Sequence, residues 1–196
     1  MAMRMRSHMG YSDRALQHPS RSFLGRQSLF LFCLAGLLVV WFGQENGLWT
    51  GLIVLTVGHS IQIWAAGSLT KNRTLSASGP YAIVRHPMYA GRFLVGLGLG
   101  LIIGRLWLLP FYVVLFFIYA VRRTNQEEDR LRERFGDKYA TFCHCVPRWL
   151  PRIRSIRSLR GGSFEWERVG ENGQWRAALG LAAIAVLVVA RVYWFS

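Results

Sequence analysis

The run YAGRFLVGLGLGLIIGRLWLLPFYVVLFFIYAV, Tyr89–Val121, is interrupted by charge only at Arg92 and Arg105. A helix needs roughly 20 apolar residues to cross a bilayer, with about 17 tolerated. The two arms of this run, Tyr89–Ile103 and Leu106–Val121, are each short for that. Their sequence therefore predicts a tight helical hairpin that turns at Gly104-Arg105. Pro110 lies near the start of the returning arm, where a missing backbone donor does little harm.

Outward from the hairpin, three further apolar blocks appear: Ser28–Phe42, Gly47–Leu69 and Ala177–Phe195. Of the 196 residues, 52% are hydrophobic and 14% aromatic, and the formal charge of +14 lies almost wholly between the blocks. Soluble domains seldom segregate apolar and basic residues in this way. The expected fold class is an all-α, polytopic integral membrane protein of about five transmembrane helices. Basic residues set its orientation, since they collect on the cytoplasmic side. Arg4, Arg6, Arg14, Arg21 and Arg26 precede the first block, Lys71, Arg73 and Arg85 follow the second, and a dense basic run from Arg122 to Arg176 follows the fourth. With five spans all three groups fall on one side, and only Arg105 and Arg191 lie opposite.

The same charge could suggest nucleic acid, with Arg148–Arg160 as the segment that would argue it. Arg-rich cytoplasmic loops and anionic lipid headgroups explain it more directly, so the bilayer is the expected partner and nucleic acid is not. Residues 1–26 read as a basic cytoplasmic tail and residues 27–69 as two spans. The N-terminus is expected to be a retained anchor, because no cleavage site follows the first apolar block. Residues 152–175 read as a basic linker before a C-terminal span at residues 176–196. Cys143-His144-Cys145 lacks the spacing of a zinc site, and no metal is expected. His59, Ser60 and Gln62, inside the second block, are expected to bond neighbouring helices. Gly96, Gly100 and Gly104, four apart, predict a close packing face.

Residues 70–151 hold the chemistry-bearing side chains. Tyr81, Arg85, His86 and Tyr89 crowd the loop before the hairpin, and Arg123, Glu127 and Glu128 follow it. Charge of this density at the mouth of a membrane bundle is costly, which marks a site. Arg123, Glu127 and Leu131 share one helical stripe, with Phe135 next on it. That stripe is either a solvated face carrying an ion pair or a wall closing over the loop. Arg92, one turn into the hairpin, reads as a snorkelling side chain.

The order of short motifs resembles a family. Gly79-x-Tyr81, Arg85-His86-Pro87-x-Tyr89-x-Gly91, an apolar hairpin, Arg123-x-x-x-Glu127-Glu128, Phe135-Gly136-x-x-Tyr139 and Val146-Pro147-x-x-x-Pro151 are similar to the isoprenylcysteine carboxyl methyltransferases. These are integral membrane enzymes related to the phospholipid N-methyltransferases. The resemblance implies a methyltransferase core over residues 70–151, with S-adenosylmethionine bound at its cytoplasmic end and a lipophilic or prenylated acceptor arriving from the bilayer. It also implies cofactor contacts at Arg73, Thr74, Leu75, Ser76, Tyr81, His86, Pro87, Met88, Tyr89, Glu127 and Glu128, and a catalytic, acceptor-side role for Arg123. A carboxylate acceptor is already ionised at neutral pH and requires no base. An amine acceptor would require one, and His86 or Glu128 are the nearby candidates. Carboxyl methylation is the expected activity, amine methylation of phospholipid the alternative, and a non-catalytic membrane scaffold the third reading.

Overall fold

The computed structural model describes residues 34, 36–69, 75–151 and 163–194. The architecture below concerns the unit Val39–Ser196. Nearly half of the first apolar block lies outside the described residues, and residues 39–42 are helical. Six α-helices follow: α1 Glu45–Ser68, α2 Pro87–Ile103, α3 Leu108–Phe135, α4 Asp137–Cys145, α5 Trp166–Glu171 and α6 Gln174–Trp194. A 3-10 turn over Gly79–Ala82 precedes α2. No strand occurs among the described residues.

Glycine lets α1 and α2 touch along their backbones. A Cβ added at Gly51 would lie 2.6 Å from the Gly98 carbonyl oxygen, and one at Gly91 would lie 2.6 Å from that of Gly58. Small residues bring helices into contact where no hydrophobic drive separates lipid from side chain. Gly96 and Gly100 face the other way, toward Tyr112 and Leu109 of α3. The expected glycine face is therefore real but receives side chains, and the closest approach lies on a stripe that joins Gly47, Gly51 and Gly58 to Leu101, Gly98 and Gly91, with Gly47 against the Leu101 carbonyl the tightest point.

The hairpin turns where expected. Gly104 adopts φ +72° after α2, a left-handed conformation that suits glycine, and Pro110 falls in the first turn of α3. At this end Gln44 N–H donates to the Ile102 carbonyl at 2.9 Å, and Arg191 of α6 donates to that of Gly43 at 3.1 Å. Leu181, Ile184, Val188 and Val192 form the buried stripe of α6, spaced for one helical face. At the opposite end, within the stretch expected to be a linker, residues 163–172 cap α1. Glu165 N–H donates to the Gly67 carbonyl, the Asn172 amide donates to that of Ala66, and the Phe164 ring lies flat against Gly67. These bonds satisfy carbonyls that a helix end leaves open.

Two helices, α1 and α6, are long and apolar enough to cross a membrane, while α2 is apolar but shorter. Trp49, Ile53 and Val57 on α1, Phe111, Val114 and Leu115 on α3, and Leu179, Val186 and Leu187 on α6 all point outward. A surface this apolar suits lipid rather than water. The polar residues of α1 do not bond its neighbours as expected. Ser60 donates back to Thr56 within the helix, Gln62 is buried over Gly91, and both His59 ring nitrogens lack a hydrogen-bond partner.

Candidate functional site

α2 and α3 run side by side only in part. Phe93 stacks on Tyr112 at 5.8 Å and Tyr89 lies 6.4 Å from Tyr119, after which α3 continues for roughly four more turns. The apolar arm and the charged segment after it are thus one helix. Its far half projects beyond the start of α2, over the loop that carries Tyr81 and His86. Gly136 ends it with φ +51°, and α4 then turns Tyr139, Phe142 and Cys143 back toward that loop.

Two adjacent stripes of α3 have different roles. Ala120, Thr124 and Glu128 are buried. Arg123, Glu127, Leu131 and Phe135, one residue over, line cavities. Glu128 is only 4% exposed, and a buried carboxylate persists only when it is paired. Its Oε1 accepts from His86 Nε2 at 3.0 Å and Arg85 Nη1 at 3.3 Å, and Arg148 Nε lies 3.0 Å away as an ion pair. Arg132 approaches Oε2 at 3.5 Å. Arg85 also donates to the Val146 and Pro147 carbonyls, from Nε at 2.9 Å and from its backbone N–H at 3.0 Å. Arg148 donates to Thr124 Oγ1 at 3.1 Å and to Asn125 Oδ1. The segment Val146–Arg148 thus straps the loop to α3, with Trp149 set 6.0 Å from His86.

An ionised carboxylate can only accept, so His86 carries a proton on Nε2 toward Glu128. Its Nδ1 then faces Glu127, whose carboxylate lies 3.9 Å away and is half-exposed. His86 and Glu127, with Leu69, Tyr81 and Arg85, form a wall shared by two cavities. The larger, about 290 Å³, is closed by Leu75, Ser76, Arg130, Leu131, Arg134, Phe135, Tyr139 and Phe142. The smaller, about 170 Å³, adds Pro87, Met88, Tyr89, Arg92 and Arg123. Burial first, and then the Glu127 carboxylate, push the Tyr81 hydroxyl well above its usual range, against the pull of Arg92. Tyr81 is therefore a hydrogen-bond donor at any physiological pH. Tyr139 is also raised, chiefly by burial and then by a weak contact of its buried hydroxyl with the Cys143 thiol.

Most of the expected residues come together. Leu75 and Ser76 line the larger cavity, Pro87, Met88, Tyr89 and Arg123 the smaller, and Tyr81, His86 and Glu127 both. Arg73 and Thr74 lie outside the described residues. Glu128 lines neither cavity and supports His86 from behind. Arg123 makes no ion pair with Glu127, so the solvated-pair reading of that stripe does not hold. Leu69, Arg130, Arg134 and Phe142 are lining residues that the sequence did not mark, and Arg92, which reads as a snorkelling side chain, lines the smaller cavity. Tyr139 had a signal, the Phe-Gly-x-x-Tyr spacing, but no role.

The family model for phospholipid methyltransferases matches residues 28–138, more than half of the chain. The chain belongs to the phospholipid methyltransferase family. The matched span of this family member ends within α4, just short of Tyr139. Among curated relatives, the cobalt-zinc-cadmium resistance protein CzcN of Cupriavidus metallidurans is 33% identical over 69% of this chain and 64% of its own length. The protein-S-isoprenylcysteine O-methyltransferase of Schizosaccharomyces pombe is 30% identical over 51% of this chain and 42% of its own. That of Rattus norvegicus is 29% identical over 63% and 42%. The chain thus spans less than two thirds of the length of these relatives. No solved structure matches. Family and apolar helices together make this a membrane protein of methyltransferase type.

Proposed function

We propose that this phospholipid methyltransferase family member is an integral membrane enzyme that moves a methyl group from S-adenosylmethionine to the carboxylate of a lipophilic acceptor. The observation that carries the reading is the pair of cavities with one shared wall, Tyr81, His86 and Glu127, because two substrates must meet across a common boundary. Five spans, with the site facing the cytoplasm of the host membrane, accord with the basic loops and with the length of α1 and α6.

The larger cavity suits the cofactor. Leu131, Phe135 and Phe142 offer an apolar and aromatic bed for a purine, Arg130 a cation for a carboxylate, and Glu127 an acceptor for hydroxyl or ammonium groups. Among the described residues the buried Tyr139 hydroxyl has only a weak contact with the Cys143 thiol, and a polar ligand would supply a better partner. Leu75 and Ser76 would complete this pocket, and Tyr81, His86, Pro87, Met88 and Tyr89 would border the methyl. When bound, S-adenosylmethionine supplies a methyl on a cationic sulfur: the S–CH3 bond breaks with its electron pair on sulfur, an O–CH3 bond forms, and no proton moves. The chain therefore needs no base. Arg123 orients the acceptor carboxylate from the smaller cavity, and Glu128 fixes the His86 ring.

Amine methylation of a phospholipid is the second reading. It is favoured by His86 Nδ1, which faces Glu127 and could take a proton. Titration of the purified protein with labelled S-adenosylmethionine tests the enzyme against a non-catalytic scaffold. Saturable binding that weakens about tenfold in Tyr139→Phe and Glu127→Gln is expected. Absence of saturable binding would overturn the proposal. A base-labile methyl product from incubated membranes supports the ester, and a base-stable one the amine.

A further inference from the structure

Arg92 lies one turn into α2, where a guanidinium needs a physical reason to stay. Helical side chains lean toward the N-terminus, and Arg92 accordingly lies over the ring of Tyr89, three residues earlier, with Cζ 5.0 Å from the centroid. The ring face attracts the cation without occupying its hydrogen-bond donors. Those N–H donors lie along the edge of the guanidinium and remain open to a ligand. Arg92 makes no ion pair among the described residues, and the same is true of Arg123, which meets the same cavity from α3.

The charges around that cavity do not cancel. Its lining contains Arg85, Arg92 and Arg123 against one carboxylate, Glu127. Arg85 is committed to Glu128, so two guanidinium groups on different helices stand over one small space. Arg92 is exposed, as a snorkelling arginine would be. Its guanidinium nevertheless lies over the buried Tyr89 ring and borders the same cavity as Arg123.

We propose that Arg92 is a specificity-determining residue that, together with Arg123, grips the carboxylate of the acceptor and turns away lipids bearing an ammonium group. The inference rests on the carboxylate reading of the site given above. It also supplies a route for release. Methylation converts the anion into a neutral ester, so the attraction of both arginines is lost at the moment of transfer while the lipid tail is unchanged. An ammonium acceptor meets repulsion from the same pair and gains no such release.

Calorimetric titration of the full-length protein in detergent, with decanoate and decylamine as probes, tests this without requiring turnover. The wild-type protein is expected to bind decanoate about tenfold more tightly than decylamine, and Arg92→Gln to remove most of that preference. Arg92→Lys should retain part of it, since the charge remains and the fork of donors is lost. Affinity for S-adenosylmethionine should stay within about twofold of wild type in both variants, which also controls for folding. Unchanged decanoate binding in Arg92→Gln, or a wild-type preference for decylamine, would overturn the proposal. A wild-type protein that discriminates the probes in this Arg92-dependent way, yet binds no S-adenosylmethionine, would support the clamp and sink the methyltransferase reading separately.

Discussion

Glu127 and Glu128 are neighbours in the chain, but successive helical residues point about 100° apart, and that angle separates a cavity wall from a buried ion-pair centre. Glu127 is half-exposed and borders both cavities, while Glu128 is buried among Arg85, His86 and Arg148. Opposite outcomes follow for the same substitution. Glu128→Gln leaves buried guanidinium charge uncompensated and should cost stability on the order of 3 kcal/mol, read as a lower unfolding temperature. Glu127→Gln should unfold like wild type and lose cofactor affinity instead. Equal unfolding temperatures for the two variants would sink the division of roles. The motif Arg-x-x-x-Glu-Glu marked both residues in the sequence. Periodicity sets Glu127 on the stripe of Arg123 and Leu131 and Glu128 on the next, but only the partners of each carboxylate show which one is buried.

Among the elements, the contact of α1 with α2 is the most demanding. A methyl group at Gly58 would meet Val95 N at 2.7 Å and the Gly91 carbonyl oxygen at 2.8 Å, so backbone would have to move. At Gly100 the same methyl meets only the end of the Leu109 side chain, at 2.8 Å, which can rotate away. Gly58→Ala should therefore destabilise by roughly 2 kcal/mol or more, at the upper side of overpacking costs. Gly100→Ala should be close to neutral, helped by the roughly 1 kcal/mol that alanine gains over glycine in a helix. Thermal unfolding of the two variants in detergent checks the contrast, and similar losses in both would contradict this packing. The sequence pointed to the spacing of Gly96, Gly100 and Gly104, whereas the tighter stripe crosses between helices and has no signature in either alone. Likewise α5 falls in the stretch that reads as linker, since the six residues Trp166–Glu171 carry too little periodicity to announce a helix.

For the whole molecule, the proposed five-span arrangement puts the hairpin turn and the cavity region on opposite faces of the membrane. With Cys33, Cys143 and Cys145 replaced by serine, a single cysteine at Arg105 should react with an impermeant thiol reagent from one side, and one at Lys138 from the other. Labelling of both from the same side would contradict the hairpin. Lipid-facing apolar residues on α1, α3 and α6 agree with this placement, since water would leave them unpaid for.

The sequence by itself determined the helical class, the hairpin and the motifs that converge on the site, because hydrophobic blocks and turn residues act over short stretches of chain. Tertiary structure alone decided which side of α3 faces the cavities, that Arg148 reaches Glu128 from the segment after α4, and that Arg92 lies over Tyr89 at the border of the smaller cavity. These depend on where α3 and its neighbours lie in space. A charged residue shows its charge in the sequence, but its partner is fixed only when distant parts of the chain meet.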